Sequence, residues 1–192
     1  MSKGVTLANI DPVIKQAELD NMPGIVSKLI YGYHADVAAW PTLPVGVADA
    51  DITLDAAGAL VGDVVMKAGT CAFVDEFTED SGEFSIKSVG ENGGMHFEYD
   101  LSIVHAKIRA KILGLQNAAR GRKMFLIVED ANGKFFLMGD KNKSAIFQPS
   151  DGNKFGKSGS AESNQATLAF KYSAPRALEY VGDTEDLLVV AN

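Results

Sequence analysis

The pair Asn132-Gly133 lies between two short apolar runs, Met124-Phe125-Leu126-Ile127-Val128 and Phe135-Phe136-Leu137-Met138. No other feature restricts the fold of this chain so sharply. Runs of this length, rich in β-branched and aromatic residues, read as strands. Asparagine-glycine tolerates the positive φ values of a type I′ turn, whose twist suits a hairpin. The hairpin is expected to be largely buried.

Other segments carry the same signature in a different form. Phe97, Tyr99, Leu101 and Ile103 alternate with Glu98, Asp100 and Ser102, as do Ala166, Leu168, Phe170 and Tyr172 with their neighbours. Period-two alternation predicts strands with one buried face. Residues 25–33 read as a further strand, and 61–67, 144–148, 178–181 and 187–190 as shorter ones. Residues 71–77 and 84–88, broken at Ser81-Gly82, predict a hairpin. One segment departs from this pattern: Ile108, Ile112, Leu115 and Ala119 recur at helical spacing and predict a helix over roughly 106–119.

The expected fold is therefore mainly β: a sandwich or barrel with one flanking α-helix, extended arms and loops. At 192 residues and 46% hydrophobic, the chain has enough side-chain volume for one domain with a sizeable core. Residues 1–23 read as an N-terminal arm, with a short helix from Asp11-Pro12 to about Leu19. Residues 24–192 read as a single β-sandwich domain. It carries a Gly/Ser-rich loop at 149–164, expected to be mobile, and a C-terminal tail. Trp40-Pro41-Thr42-Leu43-Pro44 is held extended by its prolines.

Charge is unevenly distributed. Between 70 and 100 stand eight acids and one lysine, whereas 105–125 holds six bases and no acid. The two stretches predict a molecule with an acidic side and a basic side, able to stack on copies of itself and to repel nucleic acid at its acidic surface. Solvated faces with scattered signs are what most such clusters are, and the two-sided molecule is the sharper reading beside that one.

The vocabulary of catalysis is sparse. His34, His96 and His105 stand in no metal-ligand spacing, and the lone Cys71 builds neither a zinc site nor an internal disulfide. Asp75 and Glu76 are adjacent, so on a strand they point to opposite faces and cannot act as a dyad. Gly152 to Ser158 imitates a phosphate loop but is one residue short, with Asp151 at the position of the first glycine. No catalytic residue, cofactor or metal is expected. The N-terminus lacks the apolar core of a signal peptide, and no apolar run approaches the ~18 residues of a membrane span. The chain is thus expected to be made in the cytoplasm and to stay soluble, with no membrane partner.

The stretch KILGLQNAARGRKMFLIVEDANGKFFLMGD (111–140), then SNQATLAF (163–170), together with 25–44 and its Trp-Pro-Thr-Leu-Pro segment, resembles the tail-tube, or major tail, proteins of phages and prophages from Bacteroides-type bacteria. They belong to the wider superfamily that includes the Hcp ring protein of type VI secretion. The resemblance covers about half the chain. It implies a β-sandwich with a flanking helix, six copies closing a ring, and rings stacking into a hollow tube in the virion. Its partners would be identical copies, other phage tail proteins, and DNA that passes without sticking; it brings no catalytic residues.

In that setting Asp75, Glu76, Glu79, Asp80 and Glu83 are candidates to face the lumen. Trp40, Pro41, Leu43 and Phe155 are candidates for contacts between subunits. Another virion role (capsid decoration, head completion or tail terminator) and a monomeric β-sandwich binding module are the competing readings.

Overall fold

Strand β9 (Met124–Asp130) buries Met124 to Val128 in an unbroken row, and the molecule is arranged around it. The computed structural model describes residues 5–6, 22–44, 52–91, 94–148, 152–156 and 164–191. In the first sheet β9 lies between β10 (Phe135–Met138) and β2 (Ile25–Tyr33), and β6 (Phe73–Glu76) pairs with the far side of β2. The second sheet has the order β11 (Ile146–Gln148), β13 (Gln165–Ala174), β8 (His96–His105), β7 (Glu83–Val89), with β12 (Asn153–Lys154) also on β13. All pairings in these two sheets are antiparallel. Small pairs complete the set: β1 (Val5–Thr6) with β4 (Ile52–Thr53), and β3 (Val37–Ala39) with β5 (Val65–Met66). A single helical turn, α1 (Leu54–Ala57), is capped by Thr53, whose hydroxyl accepts from the Ala56 N–H.

The sheets pack face to face over one core, in which Leu29, Leu126 and Val128 meet Tyr99, Leu101, Ile103, Leu168 and Phe170. The fold is a β-sandwich with a flanking helix. That helix, α2 (Ala110–Gly121), buries Ile112 and Ala119, and Leu115 packs against the same core. It starts later than the periodicity suggests. The backbone N–H of Ala106 donates to Thr78 Oγ1 at 2.9 Å, so the chain at Ile108 is still leaving the strand.

A second core covers the other face of the first sheet. Ile30, Phe125, Ile127 and Leu137 point into it; the small β3–β5 pair supplies Val37 and Met66, and irregular segments supply Val64, Tyr180 and Leu187. The strands expected at 178–181 and 187–190 are absent. Glu179 and Tyr180 make isolated bridges to Ala59 and Phe135, and Asp186–Leu188 is a 3₁₀ turn. Of the expected strand at 61–67, only Val65–Met66 is one.

The hairpin at Asn132-Gly133 forms, with different turn chemistry. Only Gly133 takes a positive φ, at 77°. Its N–H donates to the Asp130 carbonyl at 3.1 Å, and Asp130 N–H to the Lys134 carbonyl at 2.8 Å. This is a three-residue loop closed by a left-handed glycine, not the two-residue type I′ turn. Asp130 explains the choice, because its Oδ1 accepts from the N–H groups of Asn132 (2.9 Å) and Lys134 (2.7 Å) and holds the longer loop.

The hairpin expected across Ser81-Gly82 does not exist. β6 joins the first sheet and β7 the second, so residues 77–82 are a crossing between layers. Gly82 permits it: a Cβ there would stand 2.6 Å from Ile25 Cδ1 and 2.7 Å from Phe77 Cε2. The helix expected at 11–19 lies outside the described residues, as does most of the 149–164 loop. Within that loop Asn153–Lys154 is ordered against β13 as β12.

Candidate assembly surface

β6 is the edge of the first sheet, and among the described residues it pairs on one side only. Its Phe73 is 51% exposed and Val74 37%. An edge strand with an open row of backbone donors and acceptors is a template for another chain. Beside it, between β2, β6 and α2, runs a groove of about 730 Å³. Tyr31, Phe73, Ile112 and Leu115 supply its apolar surface, with the Tyr31 and Phe73 ring centroids 5.9 Å apart. Arg109 and Lys111 stand on one wall, Asp75 and Glu76 on the other. The Tyr31 phenol is pushed above its usual range, first by burial and then by the charge of Asp75.

The five acids proposed for a channel wall do not share one surface. Asp75 points inward and contacts His105 Nε2 at 3.0 Å; His105 is buried at the end of β8, so the pair ties the two sheets together. Glu76 is exposed on β6, Glu79 and Asp80 are exposed in the crossing, and Glu83 opens β7 on the outer face of the second sheet. Nor do the acidic and basic stretches occupy opposite sides. The Ala106–Thr78 hydrogen bond and the Thr78 N–H donating to the Val104 carbonyl at 3.0 Å bring them to the same end of the sandwich.

The four apolar candidates also separate. Trp40 is turned inward: it packs edge-on to Phe125 at 5.9 Å and lies 4.7 Å from the His34 ring. Pro41 is half-buried. Leu43 (41%) and Phe155 (73%) are exposed, Phe155 most of all the large apolar side chains among the described residues. Pro41 and Leu43 line a second cavity, of about 380 Å³, with Tyr99, Asp140, Tyr172 and Arg176. Its carboxylate accepts three hydrogen bonds. Tyr172 Oη donates to Asp140 Oδ2 at 2.7 Å, and Oδ1 accepts from the N–H groups of Asn142 (2.6 Å) and Lys143 (2.8 Å). These bonds fix Asp140 in place and leave about one acceptor site on Oδ2.

Sequence reasoning did not single out the outer face of the second sheet. Glu83, Ser85 and Lys87 of β7, Glu98, Asp100 and Ser102 of β8, and Lys171 and Ser173 of β13 share it through their register. Lys171 Nζ reaches Glu98 at 2.7 Å and Lys87 Nζ reaches Asp100 at 3.7 Å. The hydrogen bond from Lys171 holds the Glu98 carboxyl below its usual range, and Glu98 raises Lys171 in turn. The alternation at 97–103 already marked Glu98, Asp100 and Ser102 as outward. The cross-strand partners follow from register, which no local pattern reveals.

Among the described residues no group of three His, Cys, Asp or Glu side chains could hold a metal ion, and no helix is long and apolar enough to cross a membrane. Comparison with protein-family models, with curated proteins and with solved structures yields no match.

Proposed function

We propose that this chain is a structural, self-assembling subunit whose copies join through sheet edges into rings that stack as a tube, in the manner of a phage tail tube. The observation that carries this reading is the open edge of β6, with its half-exposed Phe73 and the apolar groove beside it. Soluble β-proteins blunt or cover such edges, and a neighbouring copy covers this one.

The outer face of the second sheet supports the same reading. It presents serines and ion-paired lysines: Lys87 and Lys171 are both held by carboxylates, and Glu83 adds negative charge. Pairing these lysines with carboxylates weakens their grip on passing phosphates. In the assembled ring this face, with Glu83, Glu98 and Asp100, lines the channel. Partners are then identical copies and other tail proteins, with DNA in transit.

Negative-stain microscopy combined with light scattering on the purified chain tests the proposal. Rings or filaments with a central hole, growing with concentration, are expected. A monomer at every concentration overturns it and favours a self-sufficient binding module.

A further inference from the structure

Two groups of exposed, opposite charges stand unpaired at one end of this molecule. Lys107, Arg109 and Lys111 lie at and just before the start of α2, and Glu76, Glu79 and Asp80 lie on β6 and the crossing that follows it. All six are exposed. Among the described residues the ion pairs are made by other side chains, and none joins these two groups. Arg109 and Lys111 line one wall of the same groove and Glu76 the other, yet no nitrogen of this basic group reaches a carboxylate of this acidic group within 4.0 Å.

We propose that the basic start of α2 in one copy binds the acidic 76–80 segment of the next copy, so that charge sets the direction in which subunits join. This rests on the self-assembly reading above. The argument is one of complementarity. The basic group has three positive charges and the acidic group three negative ones, and each can find its counterpart on an identical chain. Adjacent acidic and basic groups also allow a reciprocal two-fold contact, which stops at a dimer; the contact proposed is the head-to-tail, heterologous one. One copy gives its acids and the next its bases, which is the arrangement that closes rings or extends filaments. The open β6 edge, with Phe73 beside the acids, supplies the apolar centre of the same contact, and the charges form its rim. Rim charges of this kind steer association and reject wrong orientations, because like charges brought together cost several kcal/mol.

A charge-swap experiment tests this. An acid-reversed chain carries Glu76→Lys and Glu79→Lys. Asp80 is left in place, because its φ of 55° is a conformation that suits few side chains. A base-reversed chain carries Arg109→Glu and Lys111→Glu. Each chain alone is expected to need at least about tenfold more protein than the wild type to assemble. An equal mixture of the two should assemble, since the reversed acids of one chain do not face the original bases of another but the reversed bases. Circular dichroism and thermal melting of each chain confirm that the fold is kept. Wild-type assembly should also weaken as salt rises from 0.15 M towards 1 M, where screening shortens from about 8 Å to about 3 Å.

If the wild type forms rings and the reversed chains form them equally well, the charge contact is wrong while the self-assembly reading stands. If the wild type never assembles, the self-assembly reading itself fails. Should the basic end instead bind duplex DNA at 0.15 M salt, with assembly unchanged by either reversal, the partner proposed here is overturned.

Discussion

In the first sheet β9 buries Met124 to Val128 without a break, whereas in the second sheet β8 buries Tyr99, Leu101, Ile103 and His105 and turns Glu98, Asp100 and Ser102 outward. The difference is what covers each sheet. The first is packed on both faces: the second sheet lies on one, and the segments around Trp40, Val64, Tyr180 and Leu187 lie on the other. The second has one packed face. A continuous apolar run therefore reports a second core, and an alternating one reports a face left for something other than this chain's own core.

Phe125 tests the doubly covered half most severely. It is fully buried in the second core, beneath the edge of Trp40. Phe125→Ala should cost about 3–5 kcal/mol, because the cavity is walled by a sheet that cannot collapse into it. Urea denaturation measures this directly. A loss below about 1 kcal/mol would mean that the irregular layer packs loosely and that the first sheet is singly covered in effect.

The link between the halves comes next in size. Asp75→Ala removes the carboxylate that meets buried His105 and leaves a ring nitrogen without its partner. The expected cost is about 1–3 kcal/mol, and Asp75→Asn should recover most of it by restoring an acceptor. Equal losses for both variants would show that the site needs the charge and not only the hydrogen bond.

How far the sequence reveals this molecule depends on the range of the physics involved. The alternating strands, the apolar hairpin and the helix are local patterns, and β2, β8, β13 and α2 lie where periodicity places them, apart from the delayed helix start. The largest difference is non-local. The crossing at Ser81-Gly82 has the residues of a hairpin turn, and only the competition between two sheets for β6 and β7 shows that it is not one. The turn at Asn132 departs from the expected type for a local reason, because the Asp130 side chain outweighs the preference of the asparagine-glycine pair. The candidate surface was partly legible. The acidic residues are exposed except Asp75, whose partner is 30 residues away in sequence. Trp40 gave no hint that it packs inward on Phe125, since a tryptophan among prolines reads equally well as an anchor for another chain.

Tyr172 probes the core that both sheets share. Its ring lies 5.5 Å from that of Tyr99, and its hydroxyl donates to Asp140. Tyr172→Phe should cost about 0.5–1.5 kcal/mol near neutral pH. Burial first, and the Asp140 contact second, push the phenol far above its unfolded value of 10.0. The unfolded chain then loses this proton before the folded one does. Stability from Tyr172 is present below about pH 10 and is lost as pH rises above it. The variant should therefore show a shallower fall in stability above pH 10 than the wild type, measured by denaturation at matched pH. An identical slope would mean that the hydroxyl is not held as the structure places it.

The smallest effect falls on the outer face of the second sheet, and it bears most directly on the comparison. Ser102 lies there in the middle of β8, opposite Glu83 on one side and Ala169 on the other. Ser102→Val replaces a hydroxyl with a side chain that suits a strand, at a position facing away from the core. The isolated subunit should change by no more than about 0.5 kcal/mol in either direction. Ring formation should be unaffected as well, because the proposed contacts lie at β6 and at the start of α2. A loss above about 1 kcal/mol in the isolated chain would mean that this face is packed against another part of the same molecule. The two sheets would then be covered alike, and this face could not serve as the proposed channel wall.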